Sequence, residues 1–114
     1  MIYPITRTLM NAVAAKFGLL PLELSNGSRK GRRPDARQLA VYMIRELTEL
    51  KNGEPASHSL IGQLFGRGAP WSSKATLTAK NKINFDQEFR FTYVDLKDQL
   101  WNLIIEEHGT TFNS

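Results

Sequence analysis

The stretch IGQLFGRGAPWSSKATLTAKNKI, residues 61–83, decides the fold. Leu60, Ile61, Leu64 and Phe65 stand at helical spacing. They predict a short helix over 58–65, started by Ser57 or Ser59 and stopped by Gly66. RGAPWSS (67–73) is crowded with glycine, proline and serine and predicts a turn. Ser73 can cap a second helix over 74–83, with Leu77 and Ile83 inward and Ala79 or Lys80 between them. Helix, turn and helix in this order form the motif of many DNA-binding domains. The same pattern also occurs in helical domains without that role.

On the N-terminal side, Ile5, Leu9, Val13 and Phe17 recur every four residues, with Thr6 as a cap and Gly18 as a stop. LLPLEL (19–24) reads as a short helical turn, and SNGSRKGRR (25–33), which carries no apolar residue, as a loop. Pro34 and Asp35 suit the first turn of a helix over 35–51. Its apolar stripe is Leu39, Ala40, Met43, Ile44, Leu47 and Leu50. On the C-terminal side, NFDQEFRF (84–91) fits either a helix or an extended stretch. Tyr93, Leu96, Leu100, Leu103 and Ile104 then mark a last helix to about Glu107, with a fraying tail beyond it. No hairpin signal occurs. The expected fold is all-α: a compact domain of five to six helices spanning 1–114, containing a helix-turn-helix.

Composition agrees with a folded, non-membrane protein. Of the 114 residues, 41% are hydrophobic and 23% charged. No apolar run is long enough to span a bilayer. The chain has no cysteine, which removes disulfides, thiolate metal sites and cysteine nucleophiles, and is compatible with a cytoplasmic location.

The net charge is +4, and its distribution says more than its sum. RKGRRPDAR (29–37) holds five bases and one acid. Residues 55–85 hold Arg67, Lys74, Lys80 and Lys82 and no acid. The end of the chain opposes them, with Lys97 against Asp95, Asp98, Glu106 and Glu107. If the two basic blocks meet in space, they make one cationic face suited to a polyanion.

Catalytic chemistry finds little support. His58 and His108 stand at no metal-ligand spacing from another histidine or an acid. The pairs Glu46 and Glu49, and Glu106 and Glu107, read as solvated helix faces, because paired catalytic carboxylates need a cleft. There is no phosphate-binding glycine motif. The expectation is a non-enzyme with no catalytic residue, metal, cofactor or bound nucleotide. An enzyme would require a concave pocket placing His58 or His108 beside an acid.

The basic blocks are the better lead. Arg29, Lys30, Arg32 and Arg33 alternate with glycine, so their backbone can follow a groove, and arginine suits phosphates and narrow minor grooves. A solvated loop is the alternative. Ser72, Ser73, Lys74, Thr76 and Thr78 put short donors and a cation near the start of the 74–83 helix, where groove contacts concentrate. Trp71 fits either a sugar or base contact or a loop tryptophan folded onto the core.

These segments together resemble the C-terminal duplex-binding domain of the bacterial replication initiator DnaA, a Trp-repressor-like helical domain. The resemblance runs over roughly 7–105. AVAAKFGLLPLELSNGSRKGRR is similar to the family's opening helix, turn and basic loop. RQLAVYMIRELTEL (37–50) is similar to its long helix, and IGQLFG (61–66) to its IG-x-x-FG. KATLTAKNKI (74–83) is similar to the frame of its recognition helix.

The resemblance implies duplex binding in the course of DNA replication, mobile-element function or regulation. It implies that Arg29, Lys30, Arg32 and Arg33 contact the minor groove and backbone, with Arg37 as helix-borne support. It further implies that Ser72, Ser73, Lys74, Thr76, Thr78 and Asn81 face the major groove, with Arg67 beside them. In place of the family's GRDHTT the chain has GRGAPWSSKAT, about four residues longer. Lys74 stands at the histidine position and Ala75 at one threonine. Those differences imply a specificity other than the initiator's. The alternative is a protein-interaction module that keeps the fold without DNA, using the 51–60 and 67–73 loops and the acidic last helix as its partner surface.

Overall fold

In a computed structural model, the backbone is described for residues 4–25, 31 and 33–112, and the side chains for 6–24, 31 and 33–102. Among the described residues six helices follow one another: α1 (Pro4–Lys16), α2 (Pro21–Ser25), α3 (Arg33–Asn52), α4 (His58–Leu64), α5 (Ala69–Phe85) and α6 (Gln87–Phe112). No strand occurs among the described residues. The all-α expectation holds.

Long helix α3 is the centre of the molecule. Its inward stripe of Ala36, Leu39, Ala40, Met43, Ile44 and Leu47 belongs to one buried cluster with Leu9 and Val13 of α1, Ile61 of α4, Ala75 and Ala79 of α5, and Phe89, Leu96 and Leu100 of α6, and α5 is its most extensive neighbour. Each fully buried leucine-sized side chain contributes about 1.5–3 kcal/mol. Leu50, expected on the stripe, is exposed in the last turn.

The helix ends follow local chemistry. Gly18 takes φ 70° after α1, and Leu19 N–H reaches back to the Ala14 carbonyl at 2.8 Å, a glycine-terminated helix end. Thr6 is no cap: the helix begins at Pro4, and Thr6 is buried inside it. Ser57 caps α4, its Oγ accepting from Leu60 N–H at 3.1 Å. Between α3 and α4, buried Thr48 Oγ1 donates to the Ile44 carbonyl and accepts from Ala56 N–H at 2.8 Å. Arg45 Nη1 binds the Ala56 carbonyl at 2.8 Å. The long 53–57 connection is therefore fastened to α3.

The largest departure from the sequence reading lies at 67–85. The expected turn over 67–73 is mostly helix, because α5 begins at Ala69, with Gly68 as its N-cap and Pro70 in the first turn. Proline fits there, since a first-turn N–H has no intrahelical partner to lose. Ser73 is thus inside the helix. The inward face of α5 is Ser72, Ala75 and Ala79, and Leu77 is exposed. Small side chains let α5 approach α3 and α4 closely. Asp86 resolves the ambiguous 84–91 stretch: it ends α5, and its Oδ1 accepts from Phe89 N–H at 3.1 Å at the start of α6. The backbone of α6 then stays helical to Phe112, beyond the expected end near Glu107.

Candidate nucleic-acid interface

Helices α4 and α5 are joined by four residues, 65–68. The connection is tight at Gly62. Arg67 N–H bonds the Gly62 carbonyl at 2.8 Å, and a Cβ at Gly62 would lie 2.6 Å from the Gly68 carbonyl oxygen. Gly66 takes φ 67° to make the reversal. This geometry sets where α5 starts and which face it shows.

Along α5, Trp71, Lys74, Ala75 and Thr78 recur at helical spacing and face the start of α3. With Pro34, Arg37, Gln38 and Arg67 they line an open cleft of about 250 Å³. No acid lines it. Arg37 is only 5% exposed, a buried guanidinium in the wall. The Arg67 guanidinium lies 5.5 Å over the Trp71 ring, a cation–π contact. Trp71 packs on Phe65 with ring centroids 5.3 Å apart. It therefore belongs to a helix rather than a loop, with one side on the core and another in the cleft. The sequence reading leaves Trp71 open and does not point to Gln38. Their signal is spacing to Lys74 and Arg37, legible only once α5 is known to begin at Ala69.

The exposed face of α5 carries Ser73, Lys74, Leu77, Lys80, Asn81 and Asn84. Two of the expected groove residues stand elsewhere. Ser72 is fully buried, and its Oγ lies 2.9 Å from His58 Nδ1, so it cannot meet a ligand outside. Thr76 Oγ1 donates to the Ser72 carbonyl at 2.9 Å, and Thr76 lines a different groove with Tyr42, Arg45 and Glu46. Ser72 is helical because α5 starts at Ala69, and the packing of Ser72, Ala75 and Ala79 against α3 and α4 fixes which residues face inward and turns Thr76 away from the cleft.

Within the basic loop, Arg29, Lys30 and Arg32 lie outside the described residues. Arg33 is described: its Nε bonds Glu23 Oε2 at 3.1 Å, and the two groups form an ion pair. Leu20 N–H and Arg33 hold the Glu23 carboxyl below its ordinary range. The opening of α3 is thereby fastened to α2, and Arg33 carries a structural bond as well as charge.

His58 has no acid beside it in these contacts. Burial, then the Arg45 charge, lower its imidazole pKa. The Ser72–His58 hydrogen bond joins a fully buried serine to a half-buried histidine. No group of three or more histidine, aspartate or glutamate side chains gathers among the described residues. Glu46, expected to be solvated, instead accepts from Tyr93 Oη at 2.7 Å and from Lys97 Nζ at 3.2 Å.

Fold and site together define an all-helical protein with an acid-free cationic cleft between its central helix and the start of α5. The chain is 47% identical over 58 residues to the chromosomal replication initiator protein DnaA of Thermus thermophilus, with the same identity to the initiator of each of two strains of that organism. That match covers 51% of this chain and 12% of the initiator's length. The chain is therefore a partial homologue, in keeping with the C-terminal-domain resemblance of its sequence. No protein-family model matches it.

Proposed function

We propose that this chain binds double-stranded DNA, with α4 and α5 as a helix-turn-helix and the basic loop as a second contact. The observation that carries the reading is the cleft in which Arg37, Arg67, Lys74 and Thr78 converge with no acid among the lining residues. Two cations and a hydroxyl beside a buried guanidinium suit phosphate oxygens, and phosphate contacts set register without reading sequence. In this reading Ser73, Lys74 and Asn81 on the exposed face of α5 meet the major groove. Arg29, Lys30 and Arg32 reach the minor groove and its phosphates. In this reading the chain works on duplex DNA in the cytoplasm, in replication, mobile-element function or regulation. Specificity differs from the initiator's, because the start of α5 differs in sequence. No chemical step is assigned to the chain.

Neutralising roughly four to six phosphates gives a log–log salt slope of about −4 to −5. Fluorescence anisotropy with mixed duplexes at several salt concentrations measures it. Arg67→Ala and Lys74→Ala should each lower the slope by about 1. Absence of binding at low salt removes the reading.

A second reading keeps the fold without DNA. It is favoured by Leu50, Phe91, Val94 and Trp101, exposed together along a groove between the end of α3 and α6. That groove, rather than the 67–73 segment now absorbed into α5, would hold a protein partner. A chain with no duplex affinity at low salt leaves this reading standing.

A further inference from the structure

Leu77 is 59% exposed at the middle of the outward face of α5. Ser73 and Lys74 precede it there, and Lys80, Asn81 and Asn84 follow. It stands among these polar neighbours, directly opposite the inward Ala75 and Ala79, and the other large exposed apolar side chain of α5, Phe85, lies two turns further on at the end of the helix. Residues 55–85 contain no acid, so nothing on this segment would repel phosphate backbones as the face approaches a duplex.

We propose that Leu77 is a specificity-determining residue that packs on the C5-methyl group of thymine in the major groove. The inference rests on the duplex-binding reading and adds to it what α5 reads. Among the base edges in the major groove, thymine alone presents a methyl group, and an apolar side chain gains from burying it. Cytosine and uracil offer no methyl there. Asn81, one turn further along the same face, has the amide geometry that pairs with the N6 and N7 edge of adenine. Four helical residues advance about 6 Å, close to two base-pair steps, so the two side chains address neighbouring positions of one A·T-rich site. Lys74 and Lys80 flank Leu77 with charges that suit the phosphates on either side.

The test uses three duplexes of equal length: alternating d(A-T), alternating d(A-U), and alternating d(G-C). The d(A-U) duplex keeps every hydrogen-bonding group and removes only the methyls. Burial of one methyl predicts about four-fold tighter binding of d(A-T) than of d(A-U). Leu77→Ala should bind both equally while retaining the wild-type salt slope and melting temperature, since Leu77 supports no core contact. Equal wild-type binding of d(A-T) and d(A-U), tighter binding of d(G-C), or an unchanged ratio in Leu77→Ala would each overturn the proposal and leave duplex binding intact. No binding to any of the three at low salt would instead overturn the duplex-binding reading.

Discussion

Lys82 Nζ donates to Asp35 Oδ1 at 2.6 Å, tying the last third of α5 to the first turn of α3. The same ammonium reaches Gln38 Oε1 at 2.8 Å and lies 5.7 Å from the centre of the Phe89 ring. One cation from the basic segment is therefore spent on joining three helices, and the cleft walls keep their spacing because of it. Asp35→Asn should cost about 0.5–1 kcal/mol, the scale of a partly exposed ion pair. Denaturant unfolding in low and high salt checks it: the cost should shrink as salt rises, and a salt-independent cost would argue against the ion pair.

Gly62→Ala should be among the most damaging single changes. Its Cβ would meet the carbonyl oxygens of Gly68 at 2.6 Å and Arg67 at 2.8 Å, both backbone atoms that cannot rotate away. Relief requires moving the α4–α5 connection, at a cost of about 3 kcal/mol, the upper end of overpacking. A fall in melting temperature together with lost duplex affinity is the expected result, because the same shift displaces Arg67. A melting temperature equal to wild type would contradict the close approach.

Stability should depend on pH through His58. Burial beside Ser72 and the Arg45 charge keep its imidazole pKa below the ordinary 6.5. The unfolded chain then binds a proton more readily than the folded one. Stability is complete above pH 6.5 and declines as pH falls from there toward the depressed folded value. Thermal melts at about pH 8 and at lower pH should show this loss, and His58→Asn should flatten it. Glu23 acts in a separate, more acid window. Its lowered carboxyl stabilises the fold above about its ordinary value of 4.5, and that gain is lost as pH falls through the folded pKa.

Tyr93→Phe removes a hydroxyl that donates to both carboxylate oxygens of Glu46, at 2.7 and 2.8 Å. The Tyr93 ring also packs edge-on against Tyr42, with centroids 5.6 Å apart, and phenylalanine keeps that contact. The expected loss is about 1–2 kcal/mol, since Glu46 loses the Tyr93 donor and, among the described residues, retains Lys97. Chemical denaturation measures it. Burial and the Glu46 carboxylate both raise the Tyr93 pKa, so its phenolate absorbance should not appear at the ordinary value of 10.0 while the fold holds.

The helices themselves are legible in the residues. The four-residue recurrence of Leu9 and Val13, the stripe from Leu39 to Leu47, and Ser57 before Leu60 and Ile61 each specify a local helix whose inward face is apolar. So are the two basic blocks, because charge is counted along the chain. Periodicity alone fails at Ala69. Pro70, Ser72 and Ser73 have turn chemistry when read in isolation, yet proline is tolerated in a first helical turn, and Ser72 finds His58 across the α4–α5 contact.

The all-helical class, the central helix, the acid-free basic segment and the likeness to DnaA all follow from the order of residues. Those properties are local or additive along the chain. Which cations share a cleft, and which side chains α5 turns outward, depend on how the helices pack. Arg37 and Lys74 are 37 positions apart in sequence and line one wall-to-wall space. Arg33 and Lys82 carry the same charge and are bound to Glu23 and Asp35. Leu77, apolar and expected inward, stands in solvent because Ala75 and Ala79 are small enough to let α5 settle closely on its neighbours. A helix face is chosen by the partner it packs against, and that partner is distant in the chain.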